Sequence, residues 1–417
     1  MRAVAVLAVV VIHVGAVSGA NAEAWYGVAT SQGRIGVRIF FMISAFLLYR
    51  PWAMAHLHGQ PGPAIGVYAR RRALRILPAY WVALTGLALW PGLPGVFSAY
   101  WWIFYGLLQA YWYPTIHLGL AVAWSLTIEV AFYVVLPVLA ALLGRLGRAV
   151  SPRERMRRQL FALAGLGVAA EMLRVGLFVI DRRDLNFTLP SMFLPFAVGM
   201  ALAVASAWLG TDERRWRWTR FVVDRPGACW AGAALAFVAT CFTPVFGRTG
   251  LSQHTALTWG LEQLVFVVVS ALLLLPAIFG EEAGGWPRRL LATRALGFVG
   301  MVSYGIFLWH LPLLEWLAAT PLSGWVPGAP FASMLGVGLA VSIPMGWLSY
   351  RCVEWPAMRL RSEPYRRVAP SPSSAASPSP PSAASPSPSS AASPSSSAAA
   401  SSSASPSRAT PPPSSSR

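Results

Sequence analysis

Charge is what this sequence has least of. Asp, Glu, Lys and Arg make up only 12% of its 417 residues, while 56% are hydrophobic. An ordinary soluble domain carries about a quarter charged residues. So apolar a chain could not cover its surface in water, which excludes a soluble globular protein. Acidic residues are scarcer still, 15 against 33 basic, for a net charge of +18. In a soluble protein that excess would point to nucleic acid. Here the arginines fall in short loops between apolar stretches, as the cytoplasmic loops of membrane proteins do, so a nucleic-acid partner is not expected. Cysteine is almost missing: Cys229, Cys241 and Cys352 are odd in number and widely spaced, which argues against a disulfide framework or a zinc site. The chain also lacks an internal repeat, a phosphate-binding glycine loop and a long soluble stretch. Tryptophan, by contrast, is plentiful, with 19 residues, and its amphipathic ring favours membrane interfaces.

A spanning helix needs about 20 mainly apolar residues. Candidate spans cover 3–20, 34–50, 77–92, 122–143, 160–180, 189–209, 227–246, 257–279, 295–317 and 332–350. The apolar run 97–113 is aromatic-rich and ambiguous. The basic residues decide it. If it crossed the membrane, the cluster Arg70, Arg71, Arg72 and Arg75 would face the opposite side from Arg145, Arg148, Arg153, Arg155, Arg157 and Arg158. If it lies at the outer surface or re-enters, both face the cytoplasm, and the later groups at 214–220, 288–294 and 359–367 join them. The reading is therefore an all-α, polytopic transmembrane helical bundle of about ten spans, in the cell membrane, with both termini cytoplasmic. The first 20 residues have the Arg and apolar run of a signal peptide, but no soluble mature domain follows, so they are read as a retained first helix. That helix is short at its start, which places the natural start upstream. The transmembrane domain is assigned to 1–365. The remaining 366–417 is almost wholly Ser, Ala and Pro. It cannot bury enough apolar area to offset chain entropy and is expected to be a disordered cytoplasmic tail.

Ionisable groups in apolar segments are costly and mark functional sites. Arg2 and His13 are eleven positions apart, which sets them on one helical face about 16 Å apart along the axis. Arg2 is at the cytoplasmic end and His13 deeper, toward the outer half. His13 reads equally as a packing residue, and Arg2 as a topological anchor. Arg34 and Arg38 are one turn apart at the outer end of "GRIGVRIFFMISAFLL", with Ser44 further in. The two arginines run against the positive-inside trend; they bind an anionic group, pair with Glu129, or simply snorkel. In "WSLTIEVAFYVVLP", Ser125, Glu129 and Tyr133 form an i, i+4, i+8 stripe. Glu129 lacks a basic neighbour on its own helix and needs one from another span, with His13 and Arg34 as candidates. A structural salt bridge is the alternative. In "VSYGIFLWHLPLL", Ser303 and His310 share a face, with His310 at a depth similar to His13 and Glu129. The loop "YARRRALRILPAYW" carries Arg70, Arg71, Arg72 and Arg75. Arginine suits phosphate, so a nucleotide-like donor is one reading and lipid head-group anchoring the other.

Taken together and in order, these segments resemble the acyltransferase family 3 membrane proteins, which acylate sugars, glycans, antibiotics and similar hydroxylated compounds. The resemblance runs from Arg2 to about Pro356. It rests on the Arg2/His13 pair, "IGVRIFFMISAFLL", "RRALRILPAYW", "WSLTIEVAFYVVLP", "VSYGIFLWHLPLL" and "VEWP". Arg38 stands where the family often has Asp, Ala45 where it often has Gly, and Val130 where many members have a second Glu. The resemblance implies acyl transfer, most simply acetyl, from acyl-CoA as co-substrate, with no bound cofactor and no metal. On that reading Arg2, Arg70, Arg71, Arg72 and Arg75 hold the donor phosphates. His13 acts as base toward the acceptor hydroxyl or carries the acyl group, and Glu129 orients it. Arg34, Trp124, Ser125, Trp309 and His310 line the acceptor side. The partners are then the bilayer, acyl-CoA and a hydroxylated glycan or small molecule. On physics alone, ten spans with buried charges also suit a transporter or exporter of an acylated or hydrophobic compound. The bias to Ala, Arg, Gly and Pro suits a high-GC bacterium.

Overall fold

The structure, a computed structural model, describes residues 1–146, 150–210, 212–242, 255–280 and 284–360. The tail assigned to 366–417 lies outside them, as does Arg148. Among the described residues the regular elements are all helical. Ten long helices account for the ten predicted spans: α1 (Arg2–Val17), α2 (Ile35–His58), α3 (Ile65–Leu87), α4 (Ala123–Arg145), α5 (Pro152–Val179), α6 (Phe193–Leu209), α7 (Pro226–Phe242), α8 (Ala256–Ile278), α9 (Arg294–Ala318) and α10 (Pro330–Ser349).

Among the described residues, seven helical stretches are long and apolar enough to cross a membrane by themselves. An eighth qualifies when α7 is taken with the short helix Arg217–Asp224, to which it is bent by 94°. The helices α1 and α6 are apolar but shorter. Large apolar side chains such as Leu47, Val134, Phe161, Met172, Leu235 and Val268 stand exposed along the helices, which only lipid makes favourable. The chain is a multi-pass membrane protein.

The ambiguous run 97–113 forms no spanning helix. It contains the one-turn helix Trp101–Tyr105 followed by turns. Its backbone is tied to α3: Tyr80 donates to the Phe104 carbonyl at 2.6 Å and Trp81 to that of Tyr105 at 3.0 Å. Exposed Trp25, Trp90, Trp101, Trp112 and Trp325 all lie in the connections after α1, α3 and α9. The arginine clusters lie in, or next to, the connections after even-numbered helices. With each helix crossing once, the bundle has an aromatic face and a basic face, as interfacial Trp and positive-inside Arg require.

The first helix sits between α2 and α9. Small residues make that possible, because helices in lipid associate by close backbone approach. A Cβ on Gly36 of α2 would lie 2.4 Å from the Ala5 carbonyl of α1. Between α9 and α10, a Cβ on Gly305 would lie 2.6 Å from the Gly346 carbonyl. On the basic face, Arg75 of α3 binds Glu354 at 2.7 Å, just beyond α10. Glu354 is only 1% exposed. Arg70 donates to the Leu360 carbonyl at 3.0 Å. The "VEWP" segment is thereby clipped to α3.

Two substitutions test this frame. Gly36→Leu forces α1 and α2 apart and should cost about 1–3 kcal/mol through overpacking, seen as a lowered melting temperature of the purified protein in detergent. Glu354→Ala strands the Arg75 guanidinium and should cost about 3–5 kcal/mol. The double change with Arg75→Met should recover most of that loss in the same measurement.

Candidate active site

The packing of α1 against α9 brings two imidazoles together. Nε2 of His310 lies 3.1 Å from Nδ1 of His13, with ring centroids 5.0 Å apart. Nδ1 of His13 also lies 2.8 Å from the Val9 carbonyl. Nδ1 of His310 lies 3.0 Å from the Ile306 carbonyl and 2.9 Å from that of Phe307. A carbonyl can only accept, so the bonding assigns a proton to Nδ1 of each ring. Nε2 of His310 is then bare and accepts from the His13 Nδ1–H, which it shares with Val9. Nε2 of His13 is left with its lone pair and no partner among the described residues. His310 is wholly buried; it backs His13 instead of lining the acceptor side.

His13 opens on a cavity of about 270 Å³ between α1, α2, α4, α5, α8 and the short helix Arg183–Phe187. Trp124, Ser125 and Arg34 line it, as the sequence suggested. Trp124 meets Phe187 edge-on at 5.2 Å, and Ser125 donates to the Val122 carbonyl at 3.1 Å. Trp309 does not line it. Its indole packs over Gly86 of α3, because α9 turns that face away when it presents His310 to α1.

The expected pairing of Glu129 is corrected. No hydrogen bond or ion pair joins it to His13 or Arg34. Its carboxylate accepts from Ser44 on α2 and from Tyr133, one turn along its own helix. Arg34 instead binds Glu262 on α8 at 3.2 Å. Glu129 borders a separate void of about 40 Å³ with Ser125, Ser303 and Tyr304. Ser125, Val37 and Phe307 border both this void and the His13 cavity.

Toward the basic face, Arg72 and Tyr133 line a third space of about 370 Å³ between α3 and α4. Arg2 lies in electrostatic range of Arg72, Arg75, Tyr133 and Glu129. Arg71 is exposed. Arg75 is held by Glu354, with Met358 S at 3.4 Å, so its charge is already matched. From the arginines inward, three spaces thus follow one another, joined by the Tyr133–Glu129 bond and by Ser125.

Sequence reading missed four residues at the cavity: Arg174, Asn186, Glu262 and, paired with Arg174 at 3.5 Å, Glu171. The signal was there, because Glu171, Arg174 and Glu262 interrupt spanning segments. Asn186 sits in a connection and gave no such sign.

The acyltransferase family 3 profile, described as an acyltransferase domain, matches residues 1–350. The chain belongs to that family. Among curated proteins it is 23% identical over 378 residues to the peptidoglycan O-acetyltransferase OatA of Listeria monocytogenes, covering 85% of this chain and 54% of the relative. It is 26% identical over 335 residues to the exopolysaccharide production protein ExoZ of Rhizobium meliloti, covering 78% and 90%. With nodulation protein 10 of Rhizobium leguminosarum it shares 24% identity, covering 78% and 83%. The chain therefore spans about half the length of OatA and most of the other two. No solved structure matches.

The tautomer assignment has a direct check. Diethylpyrocarbonate attacks an imidazole nitrogen whose lone pair is free; that of His310 Nε2 is engaged by His13 Nδ1–H, so peptide mass spectrometry of the native protein should find His13 modified well before His310. Equal modification of the two rings would overturn the assignment.

Proposed function

We propose that this protein is a membrane O-acyltransferase that moves an acyl group, acetyl in the simplest case, from cytoplasmic acyl-CoA to a hydroxyl of a glycan unit. The observation that carries this reading is the unpartnered Nε2 of His13, which faces a cavity followed by two further spaces, the last of them lined by Arg72. Membership of the acyltransferase family supports it, as do relatives whose names specify peptidoglycan O-acetyl transfer and exopolysaccharide production. The basic face is taken as cytoplasmic, which puts both termini there.

On this reading Arg2, Arg70, Arg71 and Arg72 hold the donor phosphates, while Arg75 anchors the "VEWP" segment. His13 Nε2 removes the proton of the acceptor hydroxyl, whose oxygen attacks the thioester carbonyl. The C–S bond breaks, and the coenzyme A thiolate leaves with the proton from the imidazolium. One ester and one free thiol result. His310 and the Val9 carbonyl stabilise the transient imidazolium by accepting from Nδ1–H, the part a third residue plays in a triad. Glu129, bonded to Ser44 and Tyr133, serves the donor route instead of the imidazole. Trp124, Ser125 and Arg34 bound the acceptor.

The purified protein in liposomes, given radiolabelled acetyl-CoA and a hydroxylated glycan acceptor, should move label to the acceptor. His13→Ala should lower the rate by about 10²–10⁴ at unchanged membrane insertion. His310→Ala removes one hydrogen bond of about 1–2 kcal/mol and should cost roughly tenfold. A His13→Ala protein that transfers normally would remove this residue from the chemistry. Unmodified acceptor accumulating inside the liposomes would instead mark a transporter.

A further inference from the structure

The cavity in front of His13 has more positive than negative charge. Three guanidinium groups line it, those of Arg34, Arg38 and Arg174. Two are neutralised, Arg34 by Glu262 at 3.2 Å and Arg174 by Glu171 at 3.5 Å. Arg38 has no carboxylate in ion-pairing range among the described residues. Its Nε donates to Gln263 at 3.1 Å and its Nη1 to the Arg34 carbonyl at 3.3 Å, and its Nη2 makes no bond. Yet Arg38 is only 6% exposed and Arg174 is fully buried. A buried guanidinium with no bonded carboxylate is unfavourable, and Glu262 and Glu171 offset this charge only from beyond bonding distance, so this one is set up to receive an anion.

Further donors point the same way. Nε of Arg34 and Nε of Arg174 are buried without an acceptor. Asn186 is 0% exposed and borders the cavity, and both its amide nitrogen and its amide oxygen lack a partner. Arg34 and Arg38 both lie over the Phe266 ring, at 5.5 and 5.6 Å, which fixes their planes before anything binds. The cavity, about 270 Å³, has room for a sugar ring.

We infer that the acceptor unit is anionic. It carries a carboxylate or phosphate oxyacid group that Arg38 binds through its free Nη2, with Asn186 taking a neighbouring hydroxyl and donating to the unit. The reacting hydroxyl lies at His13 Nε2. This rests on the acyltransferase reading for the word acceptor, but the charge preference stands as a binding property and can be measured without acyl-CoA.

The test compares glucose, glucuronate and glucose 6-phosphate as probes of one ring and two anions, by isothermal titration of the purified protein in nanodiscs. At least one anion should bind the wild-type protein tenfold or more tighter than glucose. Glucuronate leading identifies a carboxylate site and glucose 6-phosphate leading a phosphate site. Arg38→Gln should abolish the preference, while Arg38→Lys should keep part of it. Wild-type protein that binds glucose as well as both anions overturns the inference, as does an Arg38→Gln protein that retains the preference. The wild-type comparison decides even where the variant does not fold. Anion preference without label transfer from acetyl-CoA would sink the acyltransferase reading alone; label transfer without anion preference would sink this inference alone.

Discussion

Everything at this site depends on one hydrogen bond between a buried imidazole and a half-buried one. It fixes which nitrogen of His13 is free, and so what that residue can do. The bond spans α1 and α9 at 3.1 Å, and small residues elsewhere let α1 lie close against its neighbours. Gly36 is the clearest case: any larger side chain there would strike the backbone of the first helix. In lipid, where no hydrophobic force drives helix against helix, such contacts decide the fold and the chemistry at once.

Electrostatics divide the bundle along its axis. On the basic face most arginines meet solvent; the half-buried Arg75 is matched by Glu354, and the buried Arg288 is held by the carbonyls of Pro276, Gly284 and Phe279. In the deeper cavity the pattern reverses, with three guanidinium groups and too few carboxylates. Between the two lies Glu129, which is held by hydroxyl groups and not by a cation. A carboxylate kept by hydroxyl donors from α2 and α4 ties these helices together without cancelling the charge of the arginines on either side.

Much of this was legible in the sequence. Ten apolar segments became ten helices, and the aromatic run 97–113 failed to span, as the arginine clusters required. His13 and His310 were placed at a similar depth by the ten-span topology, and they meet. The pairing of Glu129 was not legible, because a helical face gives depth and direction but not which neighbouring helix supplies the partner. Its hydroxyl partners, Ser44 and Tyr133, look like ordinary spanning-helix residues. The roles of Arg34 and Arg75 were open for the same reason: Glu262 and Glu354 are far away in the chain and carry no local signature. Asn186 was invisible, since an amide in a connection is unremarkable until a fold closes over it.

The smallest of the three spaces carries a consequence of its own. At about 40 Å³ it is much smaller than the spaces of about 270 and 370 Å³ on either side of it. On the proposed route a thioester must present its acyl carbon through this constriction, past Ser125. On that proposal the narrow space between α2, α4 and α9 is where the size of the acyl group is felt most, so the packing of these three helices would set how long a group can be transferred.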